Sequence, residues 1–278
     1  MITVVGSVNL DLVARLEKLP VVGETLSAKG FDRVPGGKGA NQALAARRLG
    51  AQVRLLAAVG DDALADDAMA LLRAEGVDTE QVARVPGTST GLAMIEVDDS
   101  GETTIVVVPG ANAMLRVDPE QVADAQAVLT VLEVPDEAIS AAAAGAREFF
   151  AINAAPARPI PPDALARADL VVVNRAEYPK VPGLESATRV AITLGADGAV
   201  LLRNGTQVST AAAPVVTAVD GTGAGDAFTA ALVLGLVRGE DEAHALGAAC
   251  AAGALTASRP GAQPSLPTAD EVAEMIRR

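Results

Sequence analysis

The 278-residue chain has little of what specialised sites are usually built from: one cysteine, one histidine, one tyrosine, four phenylalanines and no tryptophan. A single cysteine, Cys250, excludes a disulfide framework and a thiolate metal cage. A single histidine, His244, excludes a histidine metal centre and leaves little room for a Ser/His/Asp triad. Basic residues are also in deficit: 22 Lys and Arg against 35 Asp and Glu give a formal charge of −13. That balance argues against a nucleic-acid partner, because phosphate neutralisation needs a basic surface. No apolar run approaches the roughly 18 residues of a membrane span. The opening Met1-Ile2-Thr3-Val4-Val5-Gly6 lacks the basic start and cleavage pattern of a signal peptide. The expectation is a soluble, cytoplasmic protein with neither a membrane nor a nucleic acid as partner. Half of the residues are hydrophobic and 21% charged, which excludes disorder.

What the sequence does contain is alternation. Short β-branched runs at 2–6, 53–60, 127–134, 149–153, 170–174, 190–195 and 199–203 predict strands. Alanine-rich segments at 40–49, 62–75, 136–147, 163–168, 226–237 and 241–257 predict helices between and after them. This is the pattern of a single three-layer α/β/α domain spanning 1–278, with a mostly parallel central sheet buried on both faces. Two stretches break the rhythm. Residues 13–34 carry no helical face, and 91–97 with 103–108 read as a hairpin turning at Asp98-Asp99-Ser100-Gly101. Together, over about 12–35 and 90–108, they predict a small antiparallel sheet suited to be a lid and a dimer surface.

The segments with chemical potential sit at the ends of these elements. Asp220-Gly221-Thr222-Gly223-Ala224-Gly225-Asp226 leads straight into an apolar helix. Glycine-rich backbone before a helix lets amides converge on an anion, and Asp226 beside them would deprotonate a hydroxyl. The same residues also read as an ordinary turn with Asp226 stabilising the helix dipole. Gly36-Gly37-Lys38-Gly39-Ala40-Asn41 is no Walker A loop; it is either a close-approach loop with Asn41 facing a polyol, or a flexible turn. Asn9 and Asp11 follow the first strand at the end where open α/β sheets bind ligands, although an Asn/Asp turn is equally compatible. Asn174-Arg175-Ala176-Glu177 and Thr193-Leu194-Gly195-Ala196-Asp197-Gly198 end strands, suited to hydrated Mg²⁺ and to a nucleotide or simply terminating them. Glu133 ends an apolar run. No G-x-G-x-x-G follows the first strand, which counts against a nicotinamide-dependent dehydrogenase.

In this order, with Gly261-Ala262-Gln263-Pro264-Ser265 near the end, the segments resemble the ribokinase/PfkB family of carbohydrate kinases over essentially the whole chain. Ser-x-Asn-x-Asp with G-G-K-G-A-N is most similar to the members that act on ribose. The resemblance implies that Asn9, Asp11, Gly37, Lys38, Gly39, Ala40, Asn41 and Glu133 hold a sugar. It implies that Asp226 is the base and that Gly223, Ala224 and Gly225 build the anion hole for the γ-phosphoryl group of ATP. It assigns Asn174, Glu177, Thr193, Gly195, Asp197, Gly198, Gly225 and Cys250 to the nucleotide. Glu177 would organise Mg²⁺ through water, and Asp220, Thr222, Thr256, Arg259, Gly261 and Ser265 would surround K⁺. D-ribose is the expected substrate, with 2-deoxyribose, another small sugar or a nucleoside as alternatives, or sugar binding without catalysis. A homodimer through the lid sheets is expected. Only twelve residues, 178–189, link Glu177 to the next strand, a short crossover that predicts thin helical cover there.

Overall fold

A computed structural model describes residues 1–277. In chain order its strands are β1 (Ile2–Val5), β2 (Asn9–Arg15), β3 (Gly30–Gly36), β4 (Val53–Gly60), β5 (Val82–Val85), β6 (Gly91–Val97), β7 (Thr103–Val108), β8 (Ala127–Val131), β9 (Phe149–Asn153), β10 (Leu170–Asn174), β11 (Arg189–Thr193), β12 (Ala199–Arg203) and β13 (Thr206–Ala211). The α-helices are α1 (Lys38–Arg48), α2 (Leu64–Ala74), α3 (Asp136–Gly145), α4 (Pro162–Arg167), α5 (Ala224–Val237), α6 (Glu242–Ala257) and α7 (Ala269–Arg277).

Nine strands form the main sheet in the order β13-β12-β11-β10-β9-β8-β1-β4-β5. From β5 to β11 every neighbouring pair is parallel, and β12 and β13 then turn back antiparallel. The period of two decides what each side chain does. Val4, Leu55, Leu129 and Val172 enter the core under α1, α2, α5 and α6, whereas Val5, Leu56, Val128 and Val171 enter the opposite core under α3 and α4. Each such aliphatic, fully buried, contributes about 1.5–3 kcal/mol. The continuous Val/Leu/Ile runs are therefore the imprint of a sheet covered on both sides. The short crossover contains no α-helix. It makes two 3₁₀ turns, Tyr178–Lys180 and Leu184–Ser186, and buries Val181, Leu184 and Ala187 against the second core. Three small or medium side chains do there what a full helix face does elsewhere.

The second sheet has the order β3-β2-β6-β7. Its outer pairs are antiparallel, as expected, but its central pair, β2 with β6, is parallel. The reason is topological: both strands leave the carboxyl end of a parallel strand, β1 and β5 respectively, so they run the same way. The lid also begins earlier than position 12, at Asn9, so Asn9 and Asp11 lie on its first strand rather than in a turn. Only three residues separate that strand from β1, which plants the lid directly over the carboxyl ends of the main sheet.

Candidate active site

Two helices, α1 and α5, point their N-termini at the same place. Their first-turn amides are used differently. In α1 the Lys38 amide donates to Glu133 Oε2 at 3.2 Å, the Gly39 amide to Ser7 Oγ at 3.3 Å and the Ala40 amide to the Ser7 carbonyl at 2.9 Å. The Ser7 hydroxyl donates in turn to Glu133 Oε2, so this helix end is already closed by a carboxylate. No side chain caps α5. Its N-cap Gly223 adopts φ +80°, a left-handed conformation that favours glycine, and the Ala224 amide turns back to the Gly221 carbonyl at 3.2 Å. Among the described residues the Gly225 and Asp226 amides have no partner, which leaves them to an outside anion.

Between the two helix ends lies a cavity of about 980 Å³. Asn9, Asp11, Gly37, Lys38, Asn41, Glu133, Asn174, Glu177, Thr193, Thr222, Gly223, Gly225 and Asp226 all line it, although they are up to 217 positions apart in the chain (226 − 9). Ala93, Ile95, Ile105 and Val107 of the lid roof it. A second cavity of about 430 Å³ is lined by Thr193, Gly195, Gly198, Ala224, Gly225 and Cys250 with apolar residues of α5, α6 and the strand exit after β13. Thr193, Gly221 and Gly225 border both, so the polar chamber and the apolar one meet at the free amides of α5.

Asp226 sits buried at the floor. Asn41 Nδ2 donates to its Oδ2 and Gln42 Nε2 to its Oδ1, each at 2.9 Å. Burial raises its pKa above the ordinary carboxylate value, while the Lys38 charge and the two amides favour the anion and Glu133 opposes it. Asp11 is pushed up to about 7, first by burial, then by repulsion from Glu133, which outweighs the pull of Lys38; Asp226 adds further repulsion. Desolvation draws the Lys38 ammonium down, yet Asp226, Glu133, Glu177 and Asp11 together hold it above the usual lysine value. One half-buried cation thus serves four carboxylates from four different segments. Asn9 is held by Asn112, whose Nδ2 donates to Asn9 Oδ1 at 2.7 Å and whose Oδ1 accepts from the Val8 amide at 2.9 Å. The loop carrying Glu133 is fixed by Arg158, which donates to the Leu132 and Val134 carbonyls at 2.9 and 2.8 Å.

Eight expected site residues line neither cavity: Gly39, Ala40 and Asp197 from the sugar and nucleotide sets, and Asp220, Thr256, Arg259, Gly261 and Ser265 from the K⁺ set. Gly39 and Ala40 are buried with their amides committed to Ser7, and Asp197 is exposed in an ion pair with Arg175 at 2.8 Å. Asn174 and Glu177 form one turn: Asn174 Oδ1 accepts the Glu177 amide at 2.8 Å and Glu177 Oε2 accepts the Asn174 amide at 2.9 Å. Cys250 is buried, its thiol pushed up to about 11 by burial, so it packs as an inert apolar group in the smaller cavity. Asp220 ties two loops together, accepting from the Thr222 amide at 2.9 Å and the Gly261 amide at 2.9 Å. Thr256 and Ser265 are buried nearby in the chain fold, donating to Ala252 and Ala262 carbonyls, and the Arg259 side chain pairs with Glu271. Ser7, Gln42, Asn112 and Asn153 had no place in the sequence-derived site. Only the Ser-x-Asn-x-Asp spacing hinted at the first.

A buried carboxylate, an open helix N-terminus and a polar chamber joined to an apolar one are the parts of a phosphotransferase. The chain matches the pfkB family of carbohydrate kinases over residues 1–269 and belongs to it. Within that family it is 36% identical over 291 residues to a ribokinase of Bacillus subtilis, covering 99% of both chains. A deoxyribokinase of Salmonella typhi is 31% identical over 301 residues, covering 99% of this chain and 98% of that one. The structure of Arabidopsis thaliana ribokinase complexed with ribose and ATP superposes with a TM-score of 0.91 at 30% identity, covering 100% of this chain and 98% of the other.

Proposed function

We propose that the protein transfers the γ-phosphoryl group of ATP to the primary 5-hydroxyl of D-ribose, giving D-ribose 5-phosphate and ADP. The observation that carries this reading is the placement of Asp226 and the free Gly225 amide at the junction of the two cavities. Ribose occupies the polar chamber, where Asn9, Asp11, Asn41 and Glu133 offer acceptors and donors for its hydroxyls. The base and sugar of ATP occupy the apolar chamber, which directs the γ-phosphoryl group to the α5 amides. Asp226 accepts the proton of the 5-hydroxyl as its oxygen bonds to phosphorus and the bond to the ADP oxygen breaks. A carboxylate with a raised pKa is the stronger base for this step. The Gly225 and Asp226 amides and the Lys38 ammonium stabilise the charge on the transferring group, and the lid excludes water that would hydrolyse ATP.

Among the described residues no cluster of three or more Asp, Glu, His or Cys forms a metal cage. Glu177, one of the carboxylates lining the cavity, would hold Mg²⁺, which is ordinarily bound by one or two carboxylates together with substrate phosphates. Mg²⁺ supplies charge neutralisation of the phosphates when bound. Asp220, whose carboxylate is fixed between the 219–223 and 258–265 loops by the Thr222 and Gly261 amides, is the charged group that would hold K⁺, with carbonyl oxygens of those loops completing the set. The assignment is tested by ADP release from Mg-ATP with ribose, 2-deoxyribose, fructose and adenosine, with and without K⁺. Ribose is expected to give the highest kcat/KM; a win for another acceptor overturns the substrate, and no turnover with any overturns the activity.

Asp11 gives this reading a pH dependence. In the unfolded chain it ionises near 3.8, and in the folded chain near 7. Between those values the folded state holds one more proton, so stability falls as pH rises, by at most about 1.4 kcal/mol per unit. The melting temperature of the unliganded protein is expected to fall from pH 5 to 8, and Asp11→Asn to flatten that slope while weakening ribose binding. Parallel melting curves for the two proteins would remove Asp11 as the source.

The lid's outer face supports a homodimer. Phe31, Met94 and Val106 are exposed there, and β7 is an apolar edge strand with no strand neighbour on its outer side among the described residues. Light scattering at micromolar concentration is expected to give twice the monomer mass, reduced to the monomer by Val106→Lys. A monomeric mass for the unaltered chain rejects the dimer.

A further inference from the structure

The hydrogen bonding around Asp226 contains one group that the proposed reaction does not use. Gln42 follows Asn41 on α1 and is wholly buried. It does not line the substrate cavity, whereas Asn41 does. Its Nε2 donates one hydrogen to Asp226 Oδ1 and the other to Asn153 Oδ1, both at 2.9 Å. Asn153 is anchored in turn, its Nδ2 donating to the Val172 carbonyl at 3.3 Å. The remaining polar atom, Gln42 Oε1, is buried without a partner among the described residues. Rotating the amide by half a turn would press that oxygen against two acceptor oxygens, so chemistry fixes its orientation. A buried carbonyl left unpaired is destabilising, and an apolar side chain of similar volume would avoid it. The compensating interaction is the pair of N–H bonds, one of them to the anion.

We infer that Gln42 is a positioning residue for phosphoryl transfer, a clamp that ties Asp226 Oδ1 to the main sheet and favours its anionic form. The division of labour with Asn41 follows from placement. Asn41 reaches Oδ2 from the cavity wall, where an incoming hydroxyl competes with it, while Gln42 grips Oδ1 from behind, out of reach of any substrate. The charged groups that face Asp226 are Lys38 from the first turn of α1, Glu133 from the loop after β8 and Asp11 from β2. Burial opposes the anion most and the two carboxylates add to that, while Lys38 and then the Asn41 and Gln42 amides offset part of it.

The inference rests on Asp226 being the base, and the test separates the two. The protein is labelled with ¹³C at aspartate carboxyls and titrated unliganded, the Asp226 resonance being assigned by its loss in Asp226→Asn. In Gln42→Met the Asp226 midpoint is expected to rise by about one pH unit or more, since a lost bond to a charged group favours the neutral form. The acid limb of kcat is expected to move by the same amount, with KM for ATP unchanged. A midpoint that stays in place while kcat falls equally at every pH would make Gln42 merely structural and overturn the proposal. Should Gln42→Met fail to fold, Asn153→Leu removes the clamp's second anchor, together with one cavity-lining amide and its bond to the Val172 carbonyl, and in the unliganded titration is expected to give a smaller shift in the same direction; no shift there also overturns it. If no sugar is phosphorylated, the ribose reading falls, and the titration still decides the role of Gln42.

Discussion

Asp226→Asn is expected to lower kcat by about 10²–10⁴-fold, the range a positioned general base contributes, while leaving the protein folded and KM for ATP little changed. The asparagine keeps the shape and one acceptor oxygen, sets its NH₂ against one of the two donating amides, and takes no proton at neutral pH. The fold is expected to survive because burial already disfavours the Asp226 charge, so its removal relieves a desolvation cost. The variant does lose one neutraliser of Lys38, but Glu133, Glu177 and Asp11 still face that ammonium. Kinetics with saturating ribose and Mg-ATP, beside calorimetric binding of ribose, check both halves. Equal loss of binding and turnover would mean that Asp226 holds the sugar rather than activating it.

How much of this was legible in the chain depended on how local each signal is. The parallel sheet was, because a continuous Val/Leu/Ile run such as Leu170–Asn174 declares burial on both faces by itself. The α5 turn was, because three glycines in five residues followed by an apolar helix form a local pattern. β13 was not assigned, although Asn204-Gly205, with φ of 49° and 75°, is the two-residue turn that closes a hairpin with β12. α7 was missed as well, yet Thr268 and Glu271 cap it reciprocally, Thr268 N–H donating to Glu271 Oε2 at 2.8 Å and Glu271 N–H to Thr268 Oγ1 at 3.4 Å. Those two signals were present and unused. Gln42, Asn112 and Asn153 are different. Their partners lie 184, 103 and 111 positions away, so no spacing rule reaches them. They become visible only when the topology brings α1, β2, β9 and α5 to one end of the sheet. The residues proposed to carry a proton or a hydroxyl were therefore readable from motif, and the residues that hydrogen-bond to them were not.

Two glycines on the helices that frame the site are expected to answer to alanine in opposite ways. A methyl group at Gly39 would lie 2.5 Å from the Gly6 carbonyl carbon and the Ser7 amide nitrogen, which is backbone against backbone. Neither can give way without parting α1 from the exit of β1, where Ser7 and Glu133 close the helix end. Gly39→Ala is expected to cost roughly 3 kcal/mol, a fall in melting temperature of about 10 °C. It should weaken ribose and ATP together, because Lys38 and Asn41 move with the helix. At Gly225 the same methyl meets nothing within 4 Å. Gly225 lies in the first turn of α5, where alanine is still the better helix former and its methyl has room, so Gly225→Ala should melt no lower than the unaltered chain. Its open space is the junction of the two cavities, above the unpaired amides. If the transferring phosphoryl group belongs there, kcat/KM for ATP falls at least about tenfold, since a misplaced reacting group costs rate steeply, with ribose binding intact. Thermal melts and donor kinetics on the two variants give a crossed result: one protein unstable, the other stable and slow. A stable, fully active Gly225→Ala would move the phosphoryl group away from the α5 terminus and leave Gly225 a glycine without a ligand to explain it.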